Sequence, residues 1–293
     1  MKVCVCVPAY NEEKTIGKVL GDIRKTMSGL GHKYEIIVAD DGSTDKTAEV
    51  AKSAKATVIS LPYHYGLSEA YRVESEEALR RGADIIVLID SDGQYRASEI
   101  PKLIEPIVKK EADLVLGSRF DGHIESMPLM KRIGNKAFSK VISNILRFHV
   151  SDCQTGFRAF TKEFASKIKV ISNHTYTQEM VIRAVKEKFR IKEIPIYFAK
   201  RADGKSKLIS NPLEYAVKAW INIFRIYRDY EPLKFFGVMG LMFIGAGFIL
   251  GAYLVSLFLL YGSVGRTPTL MLTLLLIISG VQILFFGFLA DKK

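Results

Sequence analysis

The sequence predicts an α/β domain, with a mostly parallel sheet covered by helices on both faces, followed by two helices that span a membrane. Two observations support the α/β domain: short β-branched apolar runs alternate with segments of helical periodicity, and several of the runs end in polar residues. One observation supports the membrane helices: two long apolar segments in the last part of the 293-residue sequence carry no charge.

The predicted strands are short apolar runs that are rich in valine and isoleucine. They cover residues 3–10, 34–41, 56–62, 83–92 and 113–119. The segments between them carry apolar residues at helical spacing, which favours strand–helix alternation and hence a parallel sheet. Polar residues follow four of these strands, in "NEE", "DDGSTD", "DSDGQY" and "GSR". Ligands of such sheets bind beyond the carboxyl ends of the strands, so we expect a site at this edge.

The uncharged segments, residues 235–261 and 269–290, are each long enough to cross the roughly 30 Å hydrocarbon core of a bilayer. We therefore predict a cytoplasmic domain over 1–210, a juxtamembrane amphipathic helix over 211–234 and a transmembrane hairpin. Basic residues flank the hairpin, whereas the turn between the spans carries only Arg266. This distribution predicts that both ends face the cytoplasm. The amino terminus has too short an apolar run for a signal peptide.

The net charge of +11 and the isoelectric point near 9.4 predict an anionic partner. Lipid headgroups and phosphorylated ligands fit a membrane-anchored chain better than nucleic acid, for which no binding module is apparent. The helix predicted over 128–148 is basic and amphipathic, with Leu129 and Ile133 beginning its apolar stripe. It is typical of a helix in the membrane interface, and the alternative is a core-covering helix with a solvated basic face. Three cysteines fit a reducing compartment, with Cys4 and Cys6 as strand residues.

Two carboxylates, Asp90 and Asp92, end the apolar run "IIVLI". If the chain stays extended there, both point to one side and can reach a single ion. A calcium loop of the EF-hand type is excluded, since Tyr95 and Pro101 stand where it needs Gly and Glu. A glycosidase-type acid and base pair also fits poorly, because its carboxyl groups flank a bond about 5 Å or more apart. A magnesium-like cation that holds a nucleotide diphosphate is the favoured interpretation.

Asp41, which follows another strand, could bind a base or ribose edge, although a turn and helix cap explain "DDGST" equally well. Taken in order, "PAYNEE", "DDGSTD", "DSDGQY", "GSRF", "DCQTGFRAF" and "RADGKSK" resemble the motifs of family 2 glycosyltransferases of the polyprenyl-phosphate sugar synthase type. The resemblance covers about residues 2–208. It implies a Rossmann-like GT-A fold and an inverting transfer of a hexose from GDP-mannose, UDP-glucose or UDP-GlcNAc to dolichyl or undecaprenyl phosphate.

The resemblance also implies roles for residues at the matching positions. The nucleotide sugar would be held by Pro8, Tyr10, Glu12, Asp41, Asp90 and Gln94, and Mg²⁺ or Mn²⁺ by Asp90, Asp92 and Gln94. The lipid phosphate would be held by Arg119, Arg132, Arg201, Ser206 and Lys207. The catalytic set would be Asp92, Arg119, Glu179, Arg201 and Lys207.

Some assignments stay open at this point. Glu179 could orient the sugar or only pair within its helix, and Asp152 and Arg158 could form a structural pair or contact the sugar. Ser91 and Gly93 depart from the Asp-Ala-Asp-Leu-Gln pattern of many relatives, so the subfamily is open. The alternatives are a processive polysaccharide synthase, whose Gln-x-x-Arg-Trp signature is missing, and a non-catalytic nucleotide-sugar-binding membrane protein. The hexose, the nucleotide, the lipid, the metal and the formation of a homo-oligomer are not specified.

Overall fold

A computed structural model of the chain describes residues 1–170, 176–201, 221, 224–225, 227–264 and 266–291. The chain divides into two compact units, Met1–Pro212 and Leu213–Lys293. Ser206 and Lys207, which the sequence assigns to the lipid phosphate, lie outside the described residues, as does most of the predicted juxtamembrane helix.

The described part of the first unit contains a seven-stranded sheet in the order β3-β2-β1-β4-β6-β5-β7. Its strands are β1 (Lys2–Ala9), β2 (Lys33–Asp40), β3 (Thr57–Ser60), β4 (Ile85–Leu88), β5 (Leu114–Ile124), β6 (Arg158–Thr161) and β7 (Ile191–Phe198). All neighbouring pairs are parallel except those of β6, which runs antiparallel to β4 and β5. The predicted mostly parallel sheet is confirmed, and β6 and β7 are strands that the sequence patterns did not indicate.

Helices connect the strands and cover the sheet. Those described in the first unit are α1 (Ile16–Ser28), α2 (Thr47–Ser53), α3 (Leu67–Arg80), α4 (Ile100–Val108), α5 (Leu129–Leu146), α6 (Lys162–Lys167) and α7 (Tyr176–Lys186). Helix α1 shows why they fold onto the sheet: its apolar residues recur every three or four positions, so one stripe is fully buried. That stripe packs in the same core as the side chains of β1 and β4.

Strand β4 is shorter than the predicted strand over 83–92, because it ends at Leu88. Residues 90–93 form a turn instead, in which Gly93 has a φ of +75°. The hydroxyl of Ser91 donates to the carbonyl oxygen of Pro8 at 2.8 Å and so fixes the turn to the end of β1. The two carboxylates of the sequence motif therefore lie on a turn beyond the sheet, which we call the acidic turn (residues 90–93).

Helix α5 does not bury the start of its predicted apolar stripe, as the core-covering alternative would require. Asn135, Phe138 and Ile142 are buried, whereas Leu129 and Ile133 are 70% and 54% exposed. The reason is geometric: residues four apart advance 400° around a helix, so a stripe with that spacing drifts by about 40° at each step. The first turns of α5 thus present apolar residues outward, beside the basic side chains.

The second unit contains helices α8 (Pro232–Tyr261) and α9 (Thr267–Ala290), which are long and apolar enough to cross a membrane. Their backbones approach closely at Gly240 and Gly280, since a Cβ atom on Gly240 would lie 2.7 Å from the carbonyl oxygen of Gly280. Small residues that permit such an approach are typical of packed membrane helices. The two helices can therefore form the predicted hairpin.

Candidate active site

The carboxylate of Asp41 organises one side of the site. It lies just beyond β2, is buried, and accepts hydrogen bonds from the backbone N–H groups of Tyr65 and Gly66, each at 2.8 Å. The imidazole Nδ1 of His64 lies 2.8 Å from the same carboxylate. These contacts hold residues 63–66, which we call the 63–66 loop, against the end of β2, because hydrogen bonds from backbone N–H groups to a carboxylate are strong.

Gly42 allows this close contact. Its φ is +70°, and a Cβ atom there would lie 2.5 Å from the carbonyl carbon of Tyr63. A side chain at this position would therefore be strained in its backbone and would also push the 63–66 loop away.

The ring of Tyr10 stacks on the imidazole of His64, with centroids 3.9 Å apart and planes inclined by 18°. The segment after Tyr10 is bound to the β2 end, since the Asn11 side-chain oxygen accepts from the backbone N–H of Thr44 at 2.8 Å. Pro8, two residues before Tyr10, is buried. His64 therefore contacts both Tyr10 and Asp41, the two residues that the sequence resemblance assigns to one nucleoside site. The sequence motifs did not indicate His64.

The acidic turn forms the centre of the site. Asp92 Oδ1 accepts from the backbone N–H of Gln94 at 3.0 Å, and Oδ2 accepts from Arg201 at 2.9 Å. Glu12 lies 3.5 Å from the same guanidinium group. Arg201 therefore connects the ends of β1 and β4 to the segment after β7.

Asp90 is half-buried against the backbone of Gly156, where a Cβ atom would lie 2.7 Å from its Oδ1. Burial, and then the charge of Asp92, raise the pKa of Asp90 to about 7, although Arg119 and two further cations act in the opposite direction. The acidic turn therefore concentrates negative charge that a bound cation would neutralise.

The donor set of the acidic turn fits a hard divalent cation. Mg²⁺ takes one or two carboxylates, which Asp90 and Asp92 can supply. Its other positions are left to water and phosphates. Within the described residues, no group of three or more His, Cys, Asp or Glu side chains could hold a metal. Gln94 donates its side-chain amide to the carbonyl oxygen of Ala199 at 3.1 Å, a bond that uses the amide nitrogen and not the oxygen.

Three basic residues surround the acidic turn, and we call them the basic cluster: Arg119, Lys131 and Arg201. All three interact electrostatically with Asp90. Burial, and then the charge of Arg119, lower the pKa of Lys131. Lys131 was missed because the periodicity of α5 placed it on a solvated face, whereas its neighbour Arg132, which the sequence assigned to the lipid phosphate, is exposed.

Arg119 is itself buried in a two-pronged ion pair with Asp152, at 2.6 and 2.8 Å. Asp152 therefore forms a structural ion pair, but its partner is Arg119 and not Arg158 as the sequence suggested. Arg158 is fully buried and donates to the backbone carbonyl oxygens of Cys153, Thr155 and Thr177. Both arginines hold the "DCQTGFRAF" segment in place behind Asp90.

Glu179 lies in α7 and accepts a hydrogen bond from Arg183, one turn later, at 2.6 Å. Of the two roles considered for Glu179, pairing within its helix is the one that this contact shows.

Comparisons with known proteins identify the family of the chain. The family model "Glycosyl transferase family 2" matches residues 4–169. A dolichyl-phosphate hexose transferase of Haloferax volcanii is 33% identical over 207 residues, which are 70% of this chain and 86% of that protein. A UDP-N-acetylglucosamine–dolichyl-phosphate N-acetylglucosaminyltransferase of Methanococcus voltae is 32% identical over 220 residues, 66% of this chain and 84% of that protein.

Among solved structures, the glucosyl-3-phosphoglycerate synthase of Mycobacterium tuberculosis with Mn²⁺, uridine diphosphate and its product superposes with a TM-score of 0.59. The alignment covers 76% of this chain and 79% of that one, at 21% identity. This likeness bears on the fold alone, which is of the GT-A type.

Proposed function

Because the chain belongs to glycosyltransferase family 2, we propose that it transfers a hexose from a nucleotide sugar to dolichyl phosphate at a membrane, with inversion at the anomeric carbon. The observation that carries this proposal is the arrangement of Asp90 and Asp92 on one turn with the basic cluster around them. Opposite charges set so closely suit two phosphate groups and a cation. The names of the two dolichyl-phosphate relatives support the acceptor.

The nucleoside would bind beside Tyr10 and the 63–66 loop. Asp41 is buried and fixed by two backbone N–H groups, so its side of the site is formed before the ligand arrives. The stacked rings of Tyr10 and His64 offer an aromatic surface next to that carboxylate. Such surfaces bind the faces of nucleobases, which favours a nucleotide over a free sugar as the donor.

Asp90 and Asp92, with the side-chain oxygen of Gln94, would hold a divalent cation against the donor diphosphate. When bound, Mg²⁺ or Mn²⁺ would stabilise the negative charge that grows on the departing nucleoside diphosphate. Arg201, which is paired with Asp92, would bind the same phosphates.

The acceptor oxygen of a lipid phosphate is anionic near neutral pH and needs no base to remove a proton. It attacks the anomeric carbon from the face opposite the diphosphate, a new carbon–oxygen bond forms, and the bond to the nucleoside diphosphate breaks. The basic cluster would offset the repulsion between the two phosphates during this step. The pairing of Glu179 with Arg183 agrees with a reaction that needs no carboxylate base.

The membrane-spanning length of α8 and α9 would keep the catalytic unit beside its lipid substrate. We propose the orientation that the basic residues predict, with the catalytic unit in the cytoplasm. The exposed apolar residues Leu129, Met130 and Ile133 of α5, next to the exposed Arg132, would lie on anionic lipid.

The test uses the purified full chain in detergent with dolichyl phosphate and each of UDP-glucose, UDP-GlcNAc and GDP-mannose. With Mn²⁺ or Mg²⁺, one labelled hexose should appear in the lipid phase as a phosphodiester, and chelation should stop the transfer. A labelled polymer, or hydrolysis of the donor without any lipid product, would contradict the proposal.

A further inference from the structure

Helix α3 carries a carboxylic acid in the interior of the first unit. Glu74 is 1% exposed, and the thiol of Cys6 lies 3.6 Å from its backbone carbonyl oxygen. This contact places the middle of α3 against β1, and β1 pairs with β4, which leads into the acidic turn. Glutamate is rarely buried unless it is paired, because removing a carboxyl group from water costs free energy.

The carboxyl group of Glu74 has an unused hydrogen-bonding position. Its Oε2 atom is buried and makes no hydrogen bond within the described residues, and the hydroxyl of Ser68, on the same helix, is in the same state. Buried polar atoms are almost always satisfied in native proteins, and an unsatisfied one costs about 1–3 kcal/mol. A polar partner is therefore expected at Oε2.

The position of Glu74 indicates which partner fits. Helix α3 begins at Leu67, directly after the 63–66 loop, and helical side chains lean toward the amino terminus, here toward the site. Burial, and then the charge of Asp90, raise the pKa of Glu74 well above its usual range. Glu74 thus interacts with Asp90, and the raised pKa favours its protonated carboxyl group, which can both donate and accept.

The surroundings of Glu74 favour an uncharged partner. Asp90 interacts electrostatically with Glu74. The pKa of Tyr176 is raised mainly by burial, and in addition by Asp90 and Glu74. An uncharged hydroxyl group can donate to Oε2 without adding a further negative charge beside these two carboxyl groups. The donor hexose, which must lie beside the cation site, carries such hydroxyl groups.

We propose that Glu74 determines sugar specificity: its carboxyl group binds a hydroxyl group of an uncharged hexose in the nucleotide-sugar donor. This inference rests on the proposed function, because it assumes a nucleotide-sugar site at the acidic turn. It adds a contact from helix α3, beneath the carboxylates, to the contacts made by the strand ends. A permanently enclosed water molecule is the competing partner for Oε2.

The experiment compares binding of a nucleotide sugar with binding of its own nucleoside diphosphate, by calorimetry on the full chain in detergent with Mn²⁺. The pairs are UDP-glucose with UDP, UDP-GlcNAc with UDP, and GDP-mannose with GDP. Glu74→Ala should weaken binding of the preferred nucleotide sugar about tenfold, the loss expected for one hydrogen bond to a buried group, and leave the diphosphate within about twofold. Glu76→Ala, an exposed neighbour on α3, is the control and should change neither.

Glu74→Gln keeps the shape of the side chain but replaces the carboxyl group with an amide. The same binding measurements on this variant test the proposal if the alanine variant does not fold. It should change the preference among the three sugars by at least about threefold, because an amide donates and accepts from different atoms. Equal losses for sugar and diphosphate, or no change in either variant, would overturn the role of Glu74. Failure of the proposed function would look different, since the unaltered chain would then bind none of the three donors.

Discussion

The two sides of the active site treat their carboxylates in opposite ways. Asp41 is buried, accepts hydrogen bonds from two backbone N–H groups and lies 2.8 Å from the imidazole of His64, so its polar contacts are supplied by the protein. Asp90 is packed against Gly156 and lies near Asp92, and its pKa is raised to about 7. The difference indicates that the Asp41 side is fixed by the protein alone, whereas the acidic turn keeps negative charge that the cation of the proposed function would neutralise.

The largest effect should come from removing a carboxylate of the acidic turn. Asp92→Ala should lower transfer to dolichyl phosphate by about 10³-fold, because stabilisation of a departing diphosphate by a metal is worth several kcal/mol. Asp22→Ala, an exposed carboxylate on α1, is the matched control and should transfer at the rate of the unaltered chain. The rates are measured with radiolabelled donor, and a variant Asp92→Ala within tenfold of that rate would contradict the assignment.

Removing the support behind the acidic turn should affect stability. Asp152→Ala leaves the buried guanidinium of Arg119 without its partner, which should cost about 3–5 kcal/mol and lower the unfolding temperature by about 10 °C. Glu163→Ala, which belongs to an exposed ion pair with Lys162, should lower it by no more than about 2 °C. Thermal unfolding in detergent measures both, and equal small shifts would show that the buried pair is not structural.

The preformed side should be disturbed by one methyl group. Gly42→Ala should weaken binding of UDP or GDP by about tenfold, because the Cβ atom displaces the 63–66 loop from Asp41. Gly31→Ala is the control: it has a similar φ of +67°, but its Cβ atom would contact nothing within 4 Å. Calorimetry that found the same affinity in both variants would show that the loop does not hold the nucleotide.

The smallest effect should be the dependence of metal affinity on pH. Because the pKa of Asp90 is raised to about 7 in the metal-free protein, Mn²⁺ must displace a proton at lower pH. The affinity for Mn²⁺ should therefore be constant above about pH 8 and fall by up to tenfold per unit below about pH 7. The Asp90→Asn variant should bind Mn²⁺ weakly, and its affinity should not change with pH in this range. A flat profile for the unaltered chain would contradict the electrostatic account of the acidic turn.

Much of this structure follows from local patterns in the sequence. The β-branched runs predicted β1, β2 and β4, and the uncharged segments predicted α8 and α9, because the signal in each case lies within the element. Tyr10, Asp41 and Asp90 could be expected at one edge of the sheet, since parallel strands present their carboxyl ends together.

Other features depend on contacts between distant residues, which periodicity does not report. Strand β6 enters the sheet antiparallel between β4 and β5, and its short run "RAFT" gives no sign of that position. Lys131 interacts with the acidic turn because it lies four residues before the buried Asn135, a relation that the apolar stripe of α5 did not indicate. Arg119 and Asp152 are 33 residues apart, so their pairing could not be predicted from spacing.

The most direct test of a cation site at the acidic turn is the affinity of the nucleotide-sugar donor with and without a divalent metal. Calorimetry on the full chain should give at least tenfold tighter binding in Mn²⁺ than in EDTA, because the cation joins Asp90 and Asp92 to the diphosphate. Asp92→Asn should remove most of that difference. Equal donor affinity in Mn²⁺ and EDTA for the unaltered chain would contradict the account.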